Sequence, residues 1–242
     1  MSRPDEIRRK RFYTEATVAP DKAGDDTFCI LLDGRAVRTP GRRVLAVPRR
    51  ELAEAMAAEW ASQREIIDPI SMPLTRIVNS AIDGVTGRES EVRASLLEYG
   101  GSDLLCYLAA GPPELLERQS RRWGEIHAWA KRTHHIELQL AVGVMPVTQT
   151  PSMLGRFDRA LGQRTPLELA ALHVVTTMTG SVLLALALVH HHLDPAEAWD
   201  LAHLDEDFQI ERWGADAEAA DRRAQRWQDM KAACCLLGVS PV

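Results

Sequence analysis

The residues with the clearest potential for chemistry lie near the C-terminus, in the stretch EAWDLAHLDEDFQIERWG. If residues 196–213 form one helix, their spacing places Asp200, His203, Asp207 and Glu211 along one side. Carboxylate and imidazole side chains in such a line could bind a divalent metal and serve a metal-dependent enzyme. A di-metal site in a helical bundle would also need Glu-x-x-His motifs on facing helices, and the chain has none. We therefore expect a solvated polar face here, and the metal-dependent enzyme stays an alternative.

A different side of the same predicted helix carries a single carboxylate among apolar groups. On a helical wheel, the neighbours of Glu206 are Trp199, Gln209, Ile210 and Trp213. An ionised carboxylate beside tryptophans must find a partner or shift its pKa. Two interpretations stay open. The carboxylate is either a member of an internal ion pair with an arginine, or part of a docking site where tryptophan supplies area and the acid supplies orientation.

Histidines offer a second possible metal site, at His190-His191-His192 with Asp194 close behind. Three successive residues point in different directions around a helix, so their rings converge poorly on one ion. Donor side chains at a helix C-terminus complement the helix dipole. We therefore expect these histidines to close a helix, and we expect the same of His134-His135.

Sequence motifs for nucleophilic or nucleotide chemistry are missing. The chain has no GxSxG, GxxxxGK[ST] or GxGxxG pattern, which lowers the expectation of an enzyme. The four cysteines are Cys29, Cys106, Cys234 and Cys235, with no CxxC among them. The adjacent pair has poor geometry for a disulfide, so free thiols in a reducing cytoplasm are the simplest interpretation.

Charge and hydropathy exclude other classes of partner. The net charge of −5 at pH 7 argues against nucleic acid or an anionic membrane, since both require a basic surface. The apolar segment 167–192 has the length of a membrane span, but histidine, threonine, glycine and serine interrupt it, so we predict a buried core helix. The opening residues have no apolar signal region, and Asp5 and Glu6 argue against a transit peptide.

Local patterns predict an α+β fold with a small β-rich N-terminal domain, residues 1–80, and a larger multihelical C-terminal domain, residues 81–242. An apolar run at 28–32 followed by Asp33-Gly34 predicts a hairpin, and residues 42–48 predict another strand. Helical periodicity begins at residue 50 and dominates after Gly87. Capping-box patterns predict helix starts after Thr165 and Asp194, and one helix is predicted over 166–190.

Six stretches in this order resemble the assembly chaperone family of the F-type ATP synthase catalytic sector, the family that binds the free α subunit. The resemblance extends over nearly the whole chain. The six are RFY at 11–13, LDGRAVRTP at 32–40, LAxAxAxEWxSQ at 52–63, MPLTRIVNSAID at 72–83, DLLCYLAAGPPELLERQSRRWGEIHAW at 103–129, and EAWDLAHLDEDFQIERWG at 197–214.

The resemblance implies a chaperone rather than an enzyme, with no cofactor and no metal. Its implied partner is the ATP synthase α subunit, held soluble until the β subunit replaces the chaperone. A general holdase that accepts many unfolded chains is a second alternative. We expect a monomer in the bacterial cytoplasm, although family relatives are mitochondrial. The expected partner-binding residues are Glu206 first, then Asp205, Gln209, Trp213 and Trp199.

Overall fold

The computed structural model describes residues 9–21, 26–143 and 145–239. The expectation about Asp5 and Glu6 therefore lies outside the described residues. The chain divides into two compact units, one extending to Thr86 and the other beginning at Gly87. The domain boundary predicted after residue 80 falls inside a helical run that continues to Val85.

A small antiparallel sheet forms the first part of the N-terminal unit. Its central strand β2 pairs with β1 on one edge and with both β3 and β4 on the other. Asp33 and Gly34 have positive φ and connect β2 to β3, which confirms the predicted hairpin. The first strand was not predicted, because its two β-branched residues make too short a signal. The strands are β1 Ala16–Pro20, β2 Phe28–Leu32, β3 Arg35–Ala36 and β4 Ala46–Val47.

Helices complete the N-terminal unit. They are α1 Arg50–Ala61, a 3-10 turn at Pro69–Ser71, α2 Pro73–Ser80 and a π turn at Ala81–Val85. The apolar face of α1 is buried through Leu52 and Met56, as its periodicity predicted. No side chain of its own segment caps α2. Instead Glu59 of α1 accepts hydrogen bonds from the Leu74 and Thr75 amides at 2.7 and 2.9 Å, so a carboxylate occupies the positive end of α2.

Helices also build most of the second unit, which confirms the α+β prediction. Two short strands pair in parallel within it, β5 Tyr107–Leu108 and β6 Ala141–Val142. The helices are α3 Glu89–Gly101, α4 Pro113–His134, α5 Pro151–Leu161, α6 Pro166–Thr179, α7 Val182–Val189, α8 Pro195–Ala202, α9 Leu204–Trp213 and α10 Ala217–Leu237. The predicted capping boxes at Thr165 and Asp194 are both present.

The predicted single helix over 166–190 is wrong, because the chain turns between α6 and α7. Gly180 adopts a left-handed conformation at φ +67° and ends α6. Ser181 then caps α7 by accepting a hydrogen bond from the Leu184 amide at 3.0 Å. The segment is buried, as predicted, and residues 182–188 have no exposed surface. Within the described residues, no helix combines the length and apolarity that a membrane span requires.

Candidate functional site

The acidic C-terminal segment consists of two helices rather than the one predicted. His203, at φ −107° and ψ 16°, ends α8 and precedes α9. Its ring Nδ1 donates a hydrogen bond of 2.8 Å to the Trp199 carbonyl oxygen, which fixes the chain at this break. The helical wheel that placed residues of α8 and α9 on common faces therefore does not hold across His203.

The four possible metal ligands, Asp200, His203, Asp207 and Glu211, do not form one cluster. Asp207 pairs with Arg223, and Glu211 receives two hydrogen bonds of 2.8 Å from Arg118. The His203 imidazole is buried, while Asp200 lies exposed on α8. Two of these acids are thus held in ion pairs rather than in the solvated face that was expected. Across the described ranges, no group of three or more His, Cys, Asp or Glu is arranged to hold a metal ion.

The second candidate, the histidine run, lies at the C-terminal end of α7 as predicted. The His190 amide donates to the Leu186 carbonyl and its ring Nε2 to the Ala160 carbonyl, at 3.0 and 3.1 Å. The His192 ring stacks on Trp129 with 4.7 Å between centroids. These contacts join the helix end to its surroundings, which is a structural role.

One face of α9 points away from the core. Glu206, Gln209, Ile210 and Trp213 follow the i, i+3, i+4, i+7 spacing of a single helical side, and we call these four residues the outer stripe. Trp213 is 72% exposed and Gln209 is exposed, while Glu206 and Ile210 are half-buried. A large exposed aromatic beside an aliphatic side chain is a typical feature of a protein-binding surface.

The side chain of Glu206 is half-buried. Among the described residues it makes no ion pair and no hydrogen bond through its side chain. It lies near enough to His203 and Arg223 to interact with their charge, but the Arg223 guanidinium is bound to Asp207 instead. The internal ion pair considered from the sequence is therefore not formed by Glu206. Its carboxylate can still accept hydrogen bonds from another protein.

Two of the five expected partner-binding residues, Trp199 and Asp205, do not belong to the outer stripe. Trp199 is only 7% exposed and packs against the rings of His203 and Trp227, at 4.0 and 5.2 Å between centroids. The break at His203 separates Trp199 from the face of Glu206. Trp199 therefore belongs to the core. Asp205 is exposed, but its carboxylate accepts a hydrogen bond of 2.7 Å from Gln119.

Contacts with α4 hold α9 in place. Leu204 and Phe208 bury the inner face, and the guanidinium groups of Arg118 and Arg212 lie over the Phe208 ring at 5.2 and 4.5 Å. Gln119 is fully buried, and its positioning role was not predicted from the sequence. A signal was available, because Gln119 lies on the apolar side of α4 with Leu115, and a glutamine there needs a polar partner.

Comparisons with known proteins agree on one relationship. The model of the ATP12 chaperone protein family matches residues 10–131. The mitochondrial protein atp12 of Schizosaccharomyces pombe is 24% identical over 222 residues, covering 87% of this chain and 75% of the relative.

Two solved structures extend the relationship over the whole chain. A candidate chaperone from Agrobacterium tumefaciens is 42% identical with a TM-score of 0.89, covering 98% of this chain and 92% of its own. Atp12 from Paracoccus denitrificans is 37% identical with a TM-score of 0.84, covering 96% and 98%. The outer stripe lies outside the matched range 10–131, but these structures cover nearly the full length.

The family recognised from the six sequence stretches is therefore confirmed, and the chain belongs to the ATP12 chaperone protein family.

Proposed function

We propose that this protein binds the unassembled α subunit of ATP synthase and keeps it soluble until the β subunit takes its place. Membership of the ATP12 chaperone family supports a role in ATP synthase assembly. We propose the outer stripe as the surface that binds the α subunit. It combines the 72% exposed Trp213 with Glu206, a half-buried carboxylate whose side chain makes no ion pair or hydrogen bond to the residues that the structure describes.

The outer stripe has the chemistry of a binding hot spot. A tryptophan buried at an interface contributes a large apolar area at small cost in side-chain entropy. Desolvating Glu206 would be unfavourable unless the partner supplies a donor or a positive charge. We therefore expect the α subunit to present an apolar pocket for Trp213 and an arginine, lysine or amide donor for Glu206.

The role is not enzymatic in this proposal, and it requires no cofactor or metal. The acids that could have formed a metal site, Asp207 and Glu211, are held by Arg223 and Arg118. Shielding an exposed subunit interface needs only a complementary surface, since the free energy comes from burying apolar area.

We place the protein in the bacterial cytoplasm and expect it to act as a monomer. The two solved relatives named above come from bacteria. All four cysteines are free and buried, which suits a reducing compartment.

Co-expression with the α subunit of the same organism tests the proposal. We expect the soluble fraction of the α subunit to rise when this protein is present, and a complex of the two to co-purify. Equal solubility of the α subunit with and without this protein, together with no complex, would exclude the proposal.

Glu206→Lys tests the surface. The change places a positive charge where the proposal puts a donor, so we expect binding to the α subunit to weaken at least tenfold, equivalent to about 1.4 kcal/mol. Glu125→Lys makes the same charge change on an exposed position of α4 and should leave binding unchanged. Thermal unfolding must be measured on both variants. A large stability loss confined to Glu206→Lys would show instead that this carboxylate serves the fold.

The general holdase is separated from the dedicated chaperone by its client range. The outer stripe is a narrow surface with one carboxylate, which favours a specific partner. We therefore expect this protein not to suppress the thermal aggregation of unrelated proteins at equimolar ratio. Suppression of several unrelated aggregating proteins, unaffected by Glu206→Lys, would support the holdase.

A further inference from the structure

The N-terminal unit contains a groove that shares no residue with the outer stripe. It has a volume of about 790 Å³ and lies between the start of the described chain, the β2–β3 hairpin, and the segment that follows α1. Its lining residues are Arg9, Phe12, Tyr13, Leu32, Asp33, Arg35, Ala36, Val37, Arg38, Trp60, Ile67, Asp68, Pro69 and Ile70. Three of the six stretches that carry the family resemblance contribute to this lining.

The base of the groove is apolar, buried and held by hydrogen bonds. Tyr13, Leu32 and Val37 are each less than 9% exposed. The Tyr13 hydroxyl donates a hydrogen bond of 2.7 Å to the Trp60 carbonyl, and their rings meet edge to face at 5.8 Å. Arg11 holds the segment by donating to the carbonyls of residues 13, 14 and 63. The base is therefore formed before any ligand arrives.

The sides of the groove expose apolar side chains to solvent. Phe12 is 68% exposed and Ile70 is 46% exposed, and both line the groove. Small-molecule sites generally enclose most of their ligand. Walls as open as these suit a polypeptide segment that passes through and continues beyond the groove.

Positive charge is in excess around the groove, because three arginines, Arg9, Arg35 and Arg38, line it together with two acids, Asp33 and Asp68. The carboxylate of Asp33 accepts hydrogen bonds from the amides of residues 14 and 15, and Asp68 accepts one from the amide of residue 70. Both acids are thus directed to the backbone. Arg9 and Arg35 make no ion pair or hydrogen bond through their side chains within the described residues, so they remain available to carboxylates of a ligand.

We propose that this groove is a second docking site, which binds an extended segment of a partner protein in which apolar and acidic residues alternate. The apolar side chains contact Phe12, Trp60 and Ile70, and the carboxylates pair with Arg9 and Arg35. This proposal stands apart from the assignment of the α subunit, because it concerns a different surface and a class of peptide rather than a named client.

Fluorescence anisotropy on the full chain tests it, with a labelled peptide of alternating glutamate and leucine or phenylalanine as the probe. The matched peptide has lysine in place of every glutamate. We expect saturable binding of the glutamate peptide, at least tenfold weaker binding of the lysine peptide, and weaker binding as salt concentration rises. No binding of the glutamate peptide up to about 1 mM, or equal binding of the two peptides, overturns the proposal.

Variants locate the binding. Arg35→Glu and Phe12→Ala should each weaken binding of the glutamate peptide by roughly fivefold or more, while thermal unfolding stays near that of the parent. Arg64→Glu changes an exposed arginine of the same unit outside the groove, and should leave binding within twofold. The indole N–H resonance of Trp60, assigned through Trp60→Phe, should shift on titration. Binding that is insensitive to both groove variants overturns the proposal.

Other occupants give distinct results. Tight binding of dodecanoate without binding of the glutamate peptide would assign the groove to a small amphiphile and overturn the proposal. Concentration-dependent self-association of the protein, lost in Phe12→Ala, would assign it to a second copy of the chain and also overturn it.

Discussion

At the scale of single residues, a buried carboxylate joins two distant segments of this protein where sequence patterns give little warning. Asp103 is fully buried and accepts hydrogen bonds of 3.0 Å from the amides of Leu105 and Leu183. One side chain thus satisfies the start of a 3-10 turn and the start of α7. The stretch DLLCYL gave no indication of this, because the partner lies 80 residues away and a long-range contact leaves no local pattern.

Asp103→Asn should destabilise the protein by about 1–3 kcal/mol at pH 7. Asparagine has nearly the same shape, but its NH₂ group would face a backbone N–H and leave that donor unsatisfied. Chemical unfolding at equilibrium measures the loss. Asp200→Asn, at an exposed position of α8, is the control and should shift the unfolding free energy by less than about 0.5 kcal/mol. Equal stability of the parent and Asp103→Asn would contradict this role.

The same residue should make stability depend on pH. Burial raises the pKa of Asp103 to about 6 from its ordinary 3.8, although the amide N–H groups oppose the shift. A raised pKa in the folded state means that the native protein holds this proton more tightly than the unfolded chain. The contribution of this bound proton to the free energy of unfolding is complete below pH 3.8 and is lost as pH rises through about 6. The unfolding free energy of the parent relative to Asp103→Asn should therefore fall between pH 4 and pH 7, and a flat difference would contradict the assignment.

At the scale of elements, the positions and types of most helices could be predicted, but two breaks could not. Helix starts at Thr165 and Asp194 have local capping chemistry that is visible in the sequence. The turns at Gly180 and His203 interrupt apolar runs whose periodicity continues on both sides. The turn at Gly180 is followed by the long-range hydrogen bond of Asp103 to α7. The α8 helix before His203 is held by another long-range bond, from the Trp123 indole N–H to the Leu201 carbonyl, and neither contact leaves a local pattern. The second break removed Trp199 from the predicted binding face.

Gly180→Ala tests the turn between α6 and α7. Gly180 has φ +67°, where alanine is disfavoured, and its added Cβ would meet Leu104 at 3.6 Å. The contact is ordinary, so the expected loss of about 1–2 kcal/mol comes from the backbone conformation. Gly124→Ala is the matched control, since Gly124 lies within α4 with no atom within 4 Å of a new Cβ. That change should stabilise by up to about 1 kcal/mol. Losses of equal size at both positions would contradict the account, and calorimetry can compare them.

At the scale of the whole molecule, composition and periodicity were enough to predict an α+β chain with a β-containing start and a helical remainder. The resemblance of six stretches was enough to identify the family. What they could not show was which side chains face outward. Exposure of Phe12 and Trp213 depends on how neighbouring elements cover their surroundings, and both residues have the aromatic character of a core position. The groove in the N-terminal unit was missed for this reason.

The interaction with the α subunit is the central claim, and light scattering during gel filtration of the two purified proteins tests it most directly. We predict that this protein alone has the mass of one chain, and that its mixture with the α subunit forms a 1:1 complex. Trp213→Ala and Glu206→Lys should prevent that complex, while Glu125→Lys should preserve it. Separate elution of the two unmodified proteins at micromolar concentration would contradict the account.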